Sequence, residues 1–105
     1  MSDIDVAQKL IQISHSAKSR NIEFDMSFRK VKRLLLTKKC FFTNVILNNI
    51  NGDDNQRTFD RVDNTKGYID SNVVVCSRRF NMLKGNITPN EIILLYKGLL
   101  KKNIK

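Results

Sequence analysis

The chain has 105 residues, of which 41% are hydrophobic, and its 19 basic and 10 acidic side chains give a net charge of +9. A chain of this length buries roughly 60–70% of the surface that it exposes when unfolded, so we expect a single domain with a modest core. No stretch approaches the roughly 20 apolar residues of a membrane span. The N-terminal residues lack the apolar segment of a secretory signal, so we expect a cytoplasmic protein that is not secreted.

The charge is distributed unevenly along the chain. Residues 40–70 have a net charge of −2, whereas residues 23–39 have +4 and residues 71–105 have +6. Basic segments attract a polyanion, and an acidic centre repels phosphate unless a cation is bound there. Two interpretations stay open: the basic surface binds nucleic acid, or it serves only solubility.

The N-terminal part, residues 1–38, is predicted to contain two helices. The first covers residues 3–19, because Ser2 can cap it and acidic residues in its first turn suit the helix dipole. Its apolar face is expected to consist of Ile4, Ala7, Leu10, Ile11 and Ala17. The second covers about residues 26–38, with Asp25 or Ser27 as its cap. Its apolar stripe is expected to consist of Phe28, Val31 and Leu35.

Basic side chains occupy the other faces of this second helix, namely Arg29, Lys30, Lys32 and Arg33. Such a run is typical of a solvated helix face. Beside an acidic centre, it is equally typical of a helix that contacts phosphates.

The central part, residues 39–86, is predicted to contain short strands and a short helix. Residues 40–43 and 45–47 suggest a strand or turn pair, and residues 48–57 a polar loop. Strands are expected over residues 58–62 and 72–76. In the turn at residues 64–67 between them, Gly67 is free to take a positive φ angle.

Helix signals follow the second of these strands. Ser77 can cap a helix that runs to about Lys84 and ends at Gly85. The last helix, within residues 88–102, has the capping box Thr88 to Glu91, with Pro89 at its first position. Its inward-facing stripe is expected to consist of Ile92, Leu95, Tyr96 and Leu99.

The two cysteines, Cys40 and Cys76, are expected to be reduced, buried thiols with a structural role. Neither belongs to a Cys-x-x-Cys pair, and the only histidine is His15, on the first helix. A structural zinc site needs four such ligands, so none is expected.

Asp60 and Asn81 are the candidate metal ligands. Asp60 lies in a predicted strand and Asn81 in the helix that follows the strand pair, so the chain can bring a carboxylate and an amide oxygen together. Mg²⁺ and Mn²⁺ prefer oxygen donors, and Mg²⁺ sites often use only one or two protein ligands when a substrate phosphate supplies another. A divalent metal there suggests phosphodiester chemistry.

The central motifs resemble those of HNH endonucleases, which belong to the His-Me finger, or ββα-metal, superfamily. The similar segments are Asp60-Arg61-Val62-Asp63, Gly67-Tyr68, Asn72-Val73-Val74-Val75 and Asn81-x-x-Lys84, with Lys39 to Asn44 before them and Thr88 to Ile92 after them. The closest likeness is to the small phage-type variant of the family. The resemblance covers about residues 39–100. It implies an α+β fold with a ββα-metal core, to which this chain adds two N-terminal helices and one C-terminal helix.

The resemblance also implies roles for individual residues. The catalytic residues would be Asp60, Arg61, Asn72 and Asn81. Of these, Asp60 and Asn81 would bind the metal, and Asn72 would tie the connecting loop to the first strand. Backbone contacts to DNA would come from basic residues, namely Arg29, Lys30, Lys32, Arg33, Arg78, Arg79 and Lys84. Simpler interpretations stay open: Asp60 pairs with Arg61 or Lys84, Asn72 is a turn residue, and Asn81 is a surface amide.

One position departs from the familiar family pattern. Arg61 stands where many HNH enzymes have the histidine that activates water, and arginine stays protonated at neutral pH. Arg61 can instead neutralise or orient a phosphate. Water would then be activated by the metal, by Asp63 or by the substrate phosphate, or activity has been lost.

Three functions therefore follow as expectations. The first is a metal-dependent DNA endonuclease of HNH type with low sequence specificity, using Mg²⁺ or Mn²⁺. The second is a catalytically inactive DNA-binding module with the same fold. The third is a virus-encoded factor that binds or inhibits a protein partner. The resemblance and the Lys-, Asn- and Ile-rich composition point to a phage or another virus, and hence to the host cytoplasm.

Overall fold

The computed structural model describes residues 2–104, and within them the fold is α+β. Two N-terminal helices precede a pair of antiparallel strands, a short helix packs on that pair, and a last helix follows. In chain order the elements are α1 (Asp3–Ser19), β1 (Phe24–Asp25), α2 (Phe28–Leu36), β2 (Arg57–Arg61), β3 (Tyr68–Ile69), β4 (Val73–Ser77), α3 (Arg78–Lys84) and α4 (Pro89–Lys101). None of the helices between residues 2 and 104 is long and apolar enough to cross a membrane.

Helix α1 has the predicted bounds but buries a different face. Ser2 forms a capping box with Asp5, as the acidic first turn favours. Its buried residues are Val6, Ile13 and Ala17. The predicted face was wrong in part, because Ile4 is 70% and Ile11 52% exposed. The helix carries two apolar stripes, and only the one that contains Val6 and Ile13 meets the rest of the fold.

Helix α2 begins at Phe28, and Ser27, one of the two predicted candidates, is its N-cap. The Ser27 hydroxyl accepts from the backbone N–H of Lys30, and its own N–H donates to Asp70 Oδ1 at 2.8 Å. The helix buries Val31 and Leu34 and packs on α1. It is shorter than predicted, because residues 37 and 38 already leave the helical conformation.

Strands β2 and β4 form an antiparallel pair that positions the central side chains. The register pairs Arg57 with Ser77 and Arg61 with Val73. Because side chains alternate along a strand, Asp60 points to one face of the pair and Arg61 to the other. Helix α3 follows β4 directly, is capped by the Ser77 hydroxyl, and packs against both strands.

Gly67 is needed for close packing rather than for a positive φ angle, so that expectation was wrong. Among the described glycines, positive φ angles occur at Gly52 and at Gly85, which ends α3. A Cβ atom on Gly67 would lie 2.5 Å from the backbone oxygen of Glu23. The missing side chain lets the N–H of Tyr68 donate to that oxygen at 2.8 Å, which joins β3 to β1.

Helix α4 has the predicted start but not the predicted burial. Thr88 and Glu91 form the capping box, and Pro89 occupies the first turn. None of the helix residues is buried, and Leu95 and Tyr96, expected to face inward, are 59% and 62% exposed. The described part of the chain measures 49 × 28 × 22 Å.

Both cysteines are free and buried, which confirms that expectation. Burial raises the pKa of the Cys76 thiol to about 11. For Cys40, burial acts in the same direction, but hydrogen bonds, chiefly from Thr43, outweigh it and lower the pKa. Neither thiol is therefore exposed for surface chemistry.

The substitution Gly67→Ala is expected to lower the free energy of unfolding by about 1–3 kcal/mol, because the new methyl group meets backbone that cannot move cheaply. Gly98→Ala is the matched control. Its Cβ would meet no atom within 4 Å, and alanine favours a helix by about 1 kcal/mol. Urea unfolding at low protein concentration measures both variants, and an unchanged or higher stability of Gly67→Ala would contradict the packing argument.

Candidate metal and nucleic-acid site

Asp60 and Lys84 make a buried contact between β2 and α3. Lys84 Nζ lies 3.0 Å from Asp60 Oδ2, and the two side chains are 1% and 12% exposed. Among the residues described, no donor meets the geometry of a hydrogen bond to Asp60 Oδ2, and the Lys84 ammonium group is the charge that faces it. The contact is therefore an ion pair that compensates the carboxylate charge.

The Lys84 ammonium group is held in place by two further contacts. It donates to the backbone oxygen of Arg61 at 3.2 Å. It also lies 5.7 Å from the ring centre of Phe42, which packs against Phe80. This burial does not fit the expected contact of Lys84 with a DNA backbone, since no phosphate can reach the group without a rearrangement.

Asn81 lies one helical turn before Lys84 on α3. Residues three apart on a helix share a face, so the Asn81 side chain is on the side that carries Lys84. It is half-buried, and within residues 2–104 its amide makes no hydrogen bond. Its oxygen is therefore available to a ligand.

Arg61 is directed away from Asp60, on the opposite face of the strand pair. Its guanidinium group donates to the backbone oxygens of Asn64 and Lys66 at 3.1 and 2.9 Å and lies 5.4 Å from the ring centre of Tyr68. It thus closes the loop after β2. The structure does not bring Arg61 to Asp60, as a role at the scissile phosphate would require.

Asn72 holds the same loop from inside. Its Oδ1 accepts from the N–H of Asp63 at 3.0 Å, and its Nδ2 donates to the backbone oxygens of Asp63 and Gly67, both at 3.0 Å. Asn72 is 4% exposed. The predicted tie between loop and strand is therefore observed, while any part of Asn72 in catalysis stays a prediction.

The Asp63 carboxylate, a predicted candidate for activating water, is directed into the loop after β2. Its Oδ1 accepts from the hydroxyl and the N–H of Thr65 at 2.6 and 2.9 Å. These hydrogen bonds lower the pKa of Asp63, with a smaller contribution from Lys66. A carboxylate with a lowered pKa is a weaker base, which makes Asp63 poorly suited to activate water.

The side chains at this site are of the type that binds a hard divalent cation, but they are too few to complete its coordination. Asp60 and Asn81 offer oxygen atoms, which Mg²⁺ and Mn²⁺ prefer. Within residues 2–104, no group of three His, Cys, Asp or Glu side chains could hold a metal. Water and substrate oxygens would have to complete the coordination, and Lys84 competes for the same carboxylate.

The other predicted DNA contacts lie at the surface. On α2, Arg29 and Arg33 are exposed, whereas Lys30 and Lys32 are half-buried. Lys32 also pairs with Asp3 at 3.4 Å, an exposed contact that contributes little to stability. In the first turn of α3, Arg78 is half-buried and Arg79 is exposed.

A contact between α2 and β2, made by Arg57, was not predicted from the sequence. The Arg57 guanidinium group donates to the backbone oxygens of Leu34 and Thr37, which end α2. Arg57 also lines a cleft of about 370 Å³ between α1 and β2, together with Lys9 and Phe59. Burial lowers the pKa of Lys9, whose ammonium group lies 5.0 Å from the Phe59 ring centre. No motif in the sequence indicated these contacts.

The chain is similar to an uncharacterized 29.0 kDa protein from the dda-modA intergenic region of Enterobacteria phage T4, with 29% identity over 89 residues. The match covers 84% of this chain and 35% of the phage protein, so the chain spans about a third of that relative. No protein-family model matches the chain, and no solved structure matches it.

The substitution Lys84→Met is expected to lower the free energy of unfolding by about 3 kcal/mol, because it leaves the Asp60 carboxylate buried without a cation. Lys32→Met, which breaks the exposed pair with Asp3, is the control and should cost less than about 1 kcal/mol. Chemical unfolding monitored by circular dichroism measures both. The double variant Asp60→Leu, Lys84→Met should recover most of the loss, and equal small losses in both single variants would contradict the buried pair.

Proposed function

We propose that this protein is a metal-dependent DNA endonuclease of HNH type. The observation that supports it best is the strand pair with its packed helix α3, in which the Asp60 carboxylate is largely buried against that helix and faces Lys84. Asn81 offers an amide oxygen on the same face of that helix. A largely buried acid is costly unless a partner compensates it, as Lys84 does here, and this cost favours a functional role for Asp60.

Of the residues around Asp60, some compensate its charge and others fix the local backbone geometry. Lys84 compensates the carboxylate while no other cation is bound, and Asn72 fixes the loop that follows β2. A divalent metal held by Asp60 and Asn81 would polarise a phosphoryl oxygen and stabilise the leaving 3′-oxygen. The basic residues of α2 and the start of α3 would hold the phosphate backbone.

The proposal implies slow turnover. The residue after Asp60 is Arg61, whose guanidinium group is committed to the loop, and the pKa of Asp63 is lowered. Neither Arg61 nor Asp63 is thus suited to take a proton from water. A general base contributes roughly 10²–10⁴-fold, so its absence slows hydrolysis without preventing it.

The second candidate is a DNA-binding module of the same fold without hydrolysis. The contact of Lys84 with Asp60 favours it, because an ammonium group already compensates the charge that a metal would neutralise. The two candidates share DNA binding and differ in whether Asp60 supports cleavage.

Supercoiled plasmid in low salt with Mg²⁺ or Mn²⁺ is expected to be nicked by the wild-type protein and protected by EDTA. Asp60→Asn should slow nicking by about 100-fold or more, because several kcal/mol of transition-state stabilisation are lost. Asp54→Asn, the same change in an exposed turn, is the control and should keep full activity. Salt-dependent binding without nicking would select the second candidate.

The double substitution Arg29→Gln, Arg33→Gln is expected to weaken binding to DNA of any sequence. It should also make the slope of log K against log salt concentration less negative by about 2. Lys97→Gln with Lys101→Gln removes the same charge from α4 and serves as the control. Fluorescence anisotropy at several salt concentrations measures both variants. If the α4 variant loses as much affinity and slope, α2 is not the contact surface.

A further inference from the structure

Helix α4 exposes a continuous apolar surface. Leu94, Leu95 and Leu99 are 68%, 59% and 45% exposed, and no residue of the helix is buried. A helix with apolar residues on all sides is normally buried, and contiguous apolar patches on a protein surface mark interaction sites. The core of this fold does not use these side chains, so they are available to a partner.

One side of α4 forms a shallow groove that we call the α4 stripe. Its members recur at intervals of three and four residues, which places them on one face of a helix. They are Ile87, Glu91, Leu94, Leu95, Gly98, Leu99 and Lys102. The stripe has an acid near its N-terminal end, leucines in the middle and a lysine at its C-terminal end.

This order makes the stripe complementary to itself in the antiparallel direction. With a second copy of the helix laid across it, Glu91 meets Lys102 of the second copy, and Leu94 meets its Leu99. Both pairs have the same midpoint, between residues 96 and 97, so a single two-fold axis generates them. Such an axis produces a closed dimer in which the same surface is used twice.

Gly98 fits the same arrangement. Glycine inside a helix costs about 1 kcal/mol relative to alanine, and apart from its chain neighbours and the adjoining helix backbone, no described atom lies within 4 Å of the Cβ position that Gly98 leaves open. The fold itself therefore does not require a glycine there. In the antiparallel pair, Gly98 faces Leu95 of the second copy, and the missing side chain leaves room for that leucine.

The two charges inside the stripe favour a second copy over an acidic partner helix. Glu91 is the only acidic residue in the segment 71–105, and it lies in the stripe. Its Oε1 accepts from the Thr88 N–H in the capping box, which leaves Oε2 to face a lysine. An acidic partner would place like charge against Glu91, whereas a second copy places Lys102 there.

We propose that α4 is a dimerisation helix, which pairs antiparallel with α4 of a second copy through the α4 stripe. A helix of 13 residues is about 20 Å long. A pair of that length buries less than the roughly 800 Å² per partner of standard interfaces, so the dimer dissociates at micromolar concentrations. The proposal does not depend on nuclease activity.

Sedimentation equilibrium of the full chain between about 1 and 300 micromolar tests the proposal. The expected result is a reversible monomer–dimer equilibrium that approaches twice the chain mass of 12.2 kDa. A monomer at every concentration would overturn the proposal, and so would growth beyond a dimer, because a two-fold contact closes on itself.

Two matched variants locate the contact. Leu95→Gln, in the stripe, should raise the dimer dissociation constant about tenfold or more. Leu100→Gln makes the same change on the opposite side of the helix, where the side chain is 45% exposed, and should leave the constant within about twofold. Equal effects of the two changes, or no effect of Leu95→Gln, would overturn the assignment to the stripe.

A charge reversal tests the antiparallel direction. Glu91→Lys and Lys102→Glu alone should each weaken the dimer, because each places like charges opposite one another. The double variant restores opposite charges and should recover more of the affinity than either single variant has. Circular dichroism verifies that α4 stays helical in all three. If the loss of dimerisation free energy in the double variant equals the sum of the losses in the single variants, Glu91 does not pair with Lys102.

Discussion

The contact between the Lys84 ammonium group and the Asp60 carboxylate is the constraint on which the centre of this fold depends. It joins the last turn of α3 to β2, and both side chains are largely removed from water. Burying either charge alone costs several kcal/mol, so each residue requires the other or a substitute. A cation bound to the Asp60 carboxylate would have to displace or share the place of the Lys84 ammonium group. Stability and proposed chemistry therefore involve the same two residues.

The loop after β2 is held independently of that pair. Asn72 binds it from the buried side, and Arg61 closes it from the other through two backbone oxygens. Gly67 lets this loop approach Glu23, which connects it to the N-terminal helices. A rigid loop fixes the backbone of β2, and with it the direction of Asp60. In this arrangement Arg61 acts on structure, because its guanidinium group is committed to the backbone of the loop.

Local signals predicted the starts of the helices, because a cap depends on a few neighbouring residues. Ser77 and Thr88 cap α3 and α4 as their side chains suggested. Burial was harder to predict, because it depends on what else packs nearby. The apolar faces of α1 and α4 were assigned from spacing alone, and tertiary contacts cover only one of the two stripes of α1. Lys84 was expected at a DNA backbone, with a pair to Asp60 as the simpler alternative. The structure shows that pair, and no sequence pattern indicated that Phe42 would also cover the ammonium group.

The proposed cation site of Asp60 and Asn81 beneath α3 can be tested by titrating ¹⁵N-labelled protein with Mn²⁺, since the bound ion broadens the amide signals of nearby residues. We expect selective broadening of the signals of Asp60, Asn81 and Lys84, and its loss in Asp60→Asn. Broadening confined to the exposed loop at residues 53 and 54, or unchanged by Asp60→Asn, would contradict it.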